Sequence, residues 1–163
     1  MNKFKIKNYE ISKSNEPFII AEAGINHNGN LKNALEMIKV AKNTGVNSIK
    51  FQTFKAEEFI IDSSLTYTYT SQGKSITESQ LDLFKRCELS KDEFREIKKV
   101  CDDEGIIFLS TPQNESDFDF LVELGVPAIK VGSDDFTNIP LLKYFSKSNL
   151  PLLISCGMST LDE

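Results

Sequence analysis

The chain has no tryptophan, a single histidine and only three cysteines among its 163 residues. Because His27 has no second histidine to join it, the chain by itself cannot build a two-histidine metal site. Cys87, Cys101 and Cys156 are odd in number and show no Cys-x-x-Cys spacing. They fit reduced thiols better than a disulfide framework or a zinc site, so we predict a cytoplasmic protein.

Long hydrophobic runs are also missing. No stretch approaches the roughly 20 apolar residues of a membrane span, and Met1–Phe4 lacks the apolar start of a signal peptide. The net charge of −5, with acidic and basic residues mixed along the chain, argues against a nucleic-acid surface. We therefore predict a single globular domain with neither a membrane nor a nucleic acid as its partner.

Short apolar runs alternate with segments of helical spacing along the chain. The runs predict five buried strands at Pro17–Ala23, Asn47–Thr53, Ile106–Leu109, Ala128–Val131 and Leu152–Ser155. Helical spacing and capping residues predict helices at Leu31–Ala41, Thr77–Cys87, Ser90–Gly105 and Ser116–Leu124, after Asn138, and from Ser159 or Thr160. The alternation predicts an α/β fold with right-handed βαβ units and a parallel sheet, whereas Phe54–Ile76 resists assignment.

Two of the predicted strands each contain a lysine, Lys50 and Lys130, among apolar neighbours. Lysine is depleted in strands and is rarely buried unless it is paired, because desolvation disfavours its charged form. Both strands also end in hydroxyl or amide groups. This matched pair predicts an anion site, although either lysine could instead extend along an edge strand into solvent.

The carboxyl ends of all five predicted strands are polar, which is where α/β folds bind their ligands. Lysines and hydroxyls suit a phosphate, which leaves Glu22 and Asp135 to face sugar hydroxyls, a metal or a proton in transit. Alternatively, Glu22 balances the charge of Lys50, and Asp134 and Asp135 form a solvated turn. The sequence leaves three roles open for His27: a metal ligand, an acid–base group, or a turn histidine hydrogen-bonded to the backbone.

Five motifs match one known family in order and spacing. They are Phe18–Gly29, Lys50–Thr53, Phe108–Pro112, Ile129–Ser133 and Leu153–Met158. Together they resemble the sialic acid (N-acetylneuraminate) synthases, with their legionaminate, pseudaminate and spore-coat polysaccharide relatives. The resemblance covers nearly the whole chain from Pro17 onward.

The resemblance implies a (β/α)8 TIM barrel that condenses phosphoenolpyruvate with an N-acetylmannosamine-like sugar, giving a nonulosonic acid and phosphate. It implies phosphoenolpyruvate-binding roles for Lys50, Thr111, Lys130, Ser133 and Ser155. By the same resemblance Glu22 and Asp135 would be the catalytic acids, and Asn26, His27 and Gln52 would belong to a substrate loop. Many family members have Gly-Glu where this chain has Asp134-Asp135, which leaves the sugar contact at this point open.

The resemblance also implies a divalent metal, Mn²⁺ or Mg²⁺, and a homodimer for the complete enzyme, with metal ligands outside this chain. We expect residues 1–163 to be the N-terminal part of the barrel, about the first five β/α units. The other barrel half and an antifreeze-like domain would then be absent, and the isolated chain would be inactive unless a second chain supplies them. The alternatives are a truncated non-catalytic remnant and a stand-alone sugar-phosphate-binding domain.

Overall fold

The computed structural model describes residues 3–160 and residue 162. Its strands are β1 (Phe4–Ile6), β2 (Tyr9–Ile11), β3 (Ile20–Gly24), β4 (Ser48–Thr53), β5 (Thr66–Ser71), β6 (Lys74–Ser79), β7 (Ile107–Pro112), β8 (Ile129–Val131) and β9 (Leu152–Ile154). Its helices are α1 (Leu31–Asn43), α2 (Ala56–Phe59), α3 (Gln80–Arg86), α4 (Lys91–Glu104), α5 (Glu115–Glu123) and α6 (Ile139–Phe145). The helix predicted from Ser159 or Thr160 would run into residues 161 and 163, which lie outside the described residues.

The five predicted strands are β3, β4, β7, β8 and β9, and they pair in parallel. One sheet contains the strands in the order β3-β4-β7, and a second contains β8 and β9. Strands β7 and β8 are in contact. The predicted α/β fold with a parallel sheet is therefore confirmed. Within the described residues β3 and β9 are the outer strands, since each pairs on one side only and β7 and β8, which also pair on one side only, contact each other.

Capping residues start two of the helices as the sequence predicts. Ser90 accepts from the backbone N–H of Glu93, whose carboxylate accepts from the N–H of Ser90, so a capping box opens α4. Asn138 caps α6. The prediction of a helix from Thr77 is wrong, because α3 begins at Gln80 and the preceding residues pair in β6. Cross-strand pairing of Thr77 satisfies the backbone groups that a helical turn would otherwise use.

The central strands β4 and β7 are buried on both faces, as their continuous apolar runs indicate, whereas β3 and β9 are only partly buried. On one face, α1, α4, α5 and α6 cover Ile49, Phe51 and Phe108 in the main core. On the other face, Ile6 of the β1–β2 hairpin packs in a smaller cluster with Ile107 and Leu109 of β7 and with Ala128, which precedes β8. The hairpin was not predicted, and it closes one end of this second face.

The unassigned segment Phe54–Ile76 contains a one-turn helix and most of a hairpin. The hairpin pairs β5 with β6 in antiparallel register and lies between α2 and α3 in sequence. Within residues 3–160 and 162, every helix is too short or too polar to cross a membrane.

Candidate active site at the carboxyl ends of the parallel strands

Strand geometry brings the predicted anion-binding residues to one face of the sheet. Successive side chains of a strand point to opposite faces, so Lys50 and Gln52 share a face that excludes Phe51. Gln52 is paired in register with Thr111, and Lys50 with Glu22, which places their side chains next to one another. These groups open into a cavity of about 400 Å³. Its lining residues are Glu22, Lys50, Gln52, Phe59, Phe84, Thr111, Gln113, Lys130, Gly132, Ser133, Asp134 and Ser155.

Lys50 is a buried cation with one carboxylate partner. Lys50 is 5 % exposed. Its Nζ lies 2.8 Å from Oε2 of Glu22 and 3.3 Å from Oγ1 of Thr111. The Glu22 side chain is 56 % exposed, so this carboxylate faces solvent while its partner does not. The alternative that Glu22 balances the charge of Lys50 is therefore what the structure shows.

Lys130 is half-buried and has no carboxylate within ion-pair distance among residues 3–160 and 162. Its Nζ donates to the carbonyl oxygen of Val131 at 2.6 Å and to Oγ of Ser155 at 2.5 Å. Burial lowers the pKa of Lys130, and the positive charge of Lys50 lowers it further. Two ammonium groups and two carboxylates, those of Glu22 and Asp134, therefore line one cavity. Among the described residues only Lys50 and Glu22 form an ion pair there, so Lys130 has hydroxyl and carbonyl partners alone.

The segment after β8 places one of its two aspartates at the cavity and the other beside it. Ser133 and Asp134 line the cavity, and the Asp134 carboxylate lies so close to Gly132 that a Cβ there would meet Oδ1 at 2.0 Å. Asp135 does not line the cavity, and its Oδ1 accepts from the side-chain amide of Asn138 at 3.0 Å. The role predicted for Asp135 would require this side chain to turn toward the cavity.

The loop after β3 is turned away from this cavity. The side-chain amide of Asn26 donates to the Ala23 carbonyl at 3.0 Å, and Asn26 lines a separate cavity against α1. His27 is 1 % exposed, and its Nδ1 accepts from the N–H of Gly29 at 3.1 Å, so the neutral ring carries its proton on Nε2. Burial lowers the pKa of His27, which favours this neutral form.

Two aromatic residues of the site were not predicted. Phe59 lines the cavity from α2, which lies within the segment that the sequence pattern left unassigned, and Phe84 lines it from α3. Periodic spacing gives no signal for Phe59, because α2 is a single turn of four residues. A tertiary contact between the two helices brings them together.

The described residues do not supply a metal-binding set. No group of three or more His, Cys, Asp or Glu side chains that could hold a metal ion occurs within residues 3–160 and 162. Glu22 is paired with Lys50, and the Nδ1 atom of His27 accepts a backbone hydrogen bond. These residues therefore do not fit a resident metal by themselves, and we assign no step to one.

Comparisons with known proteins match the chain over most of its length. The chain is 39 % identical over 146 residues to the N,N'-diacetyllegionaminic acid synthase of Legionella pneumophila, covering 90 % of the chain and 41 % of that protein. It is 39 % identical over 148 residues to the human N-acetylneuraminate-9-phosphate synthase, covering 89 % of the chain and 40 % of that protein. The chain thus spans less than half the length of these two relatives.

A solved structure of a relative has the same fold as the described part of this chain. The N-acetylneuraminic acid synthetase of Leptospira borgpetersenii, crystallised in complex with citrate, superposes with a TM-score of 0.85 at 32 % identity. The match covers 99 % of this chain and 52 % of that one. The NeuB family model matches residues 37–163. The chain therefore belongs to the NeuB family, whose relatives include sialic, legionaminic and pseudaminic acid synthases.

Proposed function

We propose that this chain carries the phosphoenolpyruvate-binding side of a nonulosonic acid synthase. The observation that supports this most is the Lys130 ammonium at the cavity, which among the described residues has no carboxylate within ion-pair distance and lies beside hydroxyl donors and a second lysine. Phosphoenolpyruvate has a phosphate and a carboxylate, and both are acceptors for ammonium and hydroxyl donors. The two relatives are named as synthases of nonulosonic acids or their phosphates.

The donors suggest how the ligand would be held. Lys130 and Ser155 already touch each other and would together bind one anionic group, while Lys50 and Thr111 would bind the other. Ser133 lines the same cavity and would complete the set of hydroxyl donors. Each lysine is held by its strand, so the donors are in place before the ligand arrives, which reduces the entropic cost of binding.

The reaction proposed is a carbon–carbon bond formation. The methylene carbon of phosphoenolpyruvate attacks the aldehyde carbon of an N-acylated hexosamine, water adds to the adjacent carbon, and phosphate leaves with its bridging oxygen by C–O cleavage. Glu22 is the acid suited to the sugar side, because its half-exposed carboxylate reaches the cavity and is oriented by its ion pair with Lys50. Gln52 would offer an amide to a sugar hydroxyl. Asp135 and the Asn26–His27 loop would join the site only after moving from their present hydrogen bonds.

We further propose that residues 1–163 form the N-terminal part of a (β/α)8 barrel, about five of its units. The edge strand β3 and helix α1 border a largely apolar cavity of about 500 Å³, lined by Met37, Val40 and Ile49 among others. Ile154 of the other edge strand, β9, is 43 % exposed. Open strand edges beside apolar surface invite pairing with further strands. The remaining units would satisfy both edges, and they would supply the ligands of the divalent metal that this family generally uses.

Calorimetric titration of the purified chain with phosphoenolpyruvate tests the anion site. We expect Lys50→Met and Lys130→Met each to weaken binding by about 10- to 100-fold, because a hydrogen bond to a charged group contributes about 1.5–3 kcal/mol. Lys39→Met, which removes an exposed lysine from α1, is the matched control and should bind like the wild type. Binding that is equally tight in all four proteins would refute the assignment.

A second titration separates this ligand from any small anion. Inorganic phosphate and pyruvate each offer one of the two anionic groups of phosphoenolpyruvate, so both should bind more weakly than the intact ligand. If phosphate binds as tightly as phosphoenolpyruvate, the cavity is a general phosphate site and the proposed substrate is wrong.

A further inference from the structure

Phe59 and Phe84 form an ordered surface that the binding of phosphoenolpyruvate does not use. We call these two residues the aromatic wall. Their ring centroids lie 5.0 Å apart at an interplanar angle of 80°, an edge-to-face contact. Phe54, which is 4 % exposed, packs edge-to-face against both rings from behind, at 5.4 and 5.6 Å. The three rings therefore hold one another in place.

The helix that holds Phe59 is fixed by contacts outside itself. A helix of four residues is unstable alone, because it fixes several backbone dihedrals for very few hydrogen bonds. The carboxylate of Glu88 accepts from the backbone N–H of Ala56 at 2.7 Å, and that of Glu58 accepts from the side chain of Asn114 at 2.6 Å. These two contacts attach both ends of α2 to neighbouring segments, so Phe59 is positioned in advance of any ligand.

The chemistry of the wall differs from that of the lysine end of the same cavity. The face of a phenyl ring carries partial negative charge, so it repels an anion and favours apolar groups. Neither anionic group of phosphoenolpyruvate suits it. A cavity of about 400 Å³ lies within the range that holds drug-sized ligands, so there is room for a second reactant beside the three-carbon acid.

We propose that the aromatic wall receives the acyl group of the N-acylated sugar and so contributes to the selection of that substituent. This inference rests on the proposed function, since it needs an acylated sugar as the second reactant. Phe59 and Phe84 act as specificity-determining residues, and they contact the substrate without taking part in bond formation. The lysines bind the anionic reactant, and the wall contacts the apolar end of its partner.

Saturation-transfer NMR on the purified chain tests the contact directly. N-acetylmannosamine is added with and without phosphoenolpyruvate, aromatic protons are irradiated, and the saturation of the acetyl methyl is compared with that of the sugar-ring protons. We expect the methyl to be the most saturated group in the wild type. Phe59→Leu and Phe84→Leu should each reduce it to the level of the ring protons. Phe4→Leu, an identical change in the N-terminal hairpin, is the matched control.

Affinities provide a second readout. N-acetyl- and N-formylmannosamine differ by one methyl group, whose burial corresponds to about a fourfold difference in affinity. The wild type and Phe4→Leu should show this preference, and the two wall variants should lose it while keeping their phosphoenolpyruvate affinity within about twofold. The retained phosphoenolpyruvate affinity would show that the variants still fold.

Three results would overturn the inference. They are a methyl signal that is the same in wild type and wall variants, a wild-type methyl no more saturated than the sugar ring, and wall variants that lose phosphoenolpyruvate affinity instead of acyl preference. A wild-type chain that binds no phosphoenolpyruvate but still contacts the acetyl methyl through the wall would refute the proposed function and leave this inference standing. The two failures are therefore distinguishable.

Discussion

Replacement of Asp117 by asparagine should stabilise the protein at neutral pH and leave it nearly unchanged at acidic pH. Asp117 lies in the first turn of α5 and is 4 % exposed, and its Oδ2 has no hydrogen-bond partner in the described structure. Burial, together with the negative charge of Glu58, raises the pKa of this carboxyl from 3.8 to about 6. The ionised form of Asp117 is therefore unfavourable in the folded state.

The size of the effect follows from the pKa difference between the folded and unfolded states. A rise from 3.8 to about 6 corresponds to about 3 kcal/mol, since each pKa unit is worth about 1.4 kcal/mol. Between these two pH values the folded state binds more protons than the unfolded chain, so the free energy of unfolding falls as pH rises. Above about pH 6, Asp117 is ionised in both states, and the full cost of burying its charge lowers the free energy of unfolding. Because a buried amide also needs partners, we expect Asp117→Asn to recover about 1–2 kcal/mol there.

Urea unfolding at several values between pH 4 and pH 8 measures this effect as a free-energy difference between variant and wild type. The difference should grow from near zero at pH 4 to its full value above pH 6. Asp119→Asn makes the same chemical change at an exposed position of the same helix and should show no such growth. A difference for Asp117→Asn that is constant across pH would show that the burial reasoning is wrong.

The remaining predictions concern the loop after β3, helix α4 and the site. Gly29→Ala should lower the free energy of unfolding by about 2–4 kcal/mol, because its φ is +68° and the new Cβ would lie 2.1 Å from the Arg86 carbonyl oxygen. Gly45→Ala, at φ +80° with open space around it, should cost only about 1 kcal/mol in the same denaturation assay, and an equal loss at both positions would exclude the clash. Ser90→Ala should cost about 1 kcal/mol by removing the capping box, and an unchanged urea midpoint would count against it. Phosphoenolpyruvate affinity, measured by calorimetry, should fall as pH rises toward the lowered pKa of Lys130, and Lys130→Arg should abolish that fall because its guanidinium stays charged. The isolated chain should release no phosphate from phosphoenolpyruvate and N-acetylmannosamine with Mn²⁺, and any metal-dependent release would disprove the proposed need for the remaining barrel units.

Local signals in the sequence were sufficient for most of the elements that form the sheet. Continuous apolar runs predicted the strands, since a parallel strand is covered on both faces and shows no polar alternation. Lys50 indicated a polar site within the sheet, because a lysine inside such an apolar run needs a charged or polar partner. In the structure that partner is Glu22. Ser90 and Asn138 predicted helix starts because a cap acts within one helical turn.

The same reasoning failed where the deciding contact is distant in sequence. The Thr77–Gln80 spacing satisfies a capping box, yet pairing of Thr68 with Thr77 places that stretch in a strand. The one-turn helix α2 exists only through contacts such as that of Ala56 with Glu88, 32 residues away. No periodicity within a short window can report interactions of this kind.

The sequence by itself determined the parallel α/β architecture, the residues proposed to bind an anion and the family resemblance, because apolar runs, charges and motifs are properties of short segments. Only the tertiary structure decided which groups share the cavity. It showed that Glu22 pairs with Lys50, that His27 is buried away from the site, and that Asp135 is held by Asn138. It also placed Phe59 and Phe84 beside the two lysines. Side-chain direction and long-range packing settle these points, and both depend on how the elements meet in space.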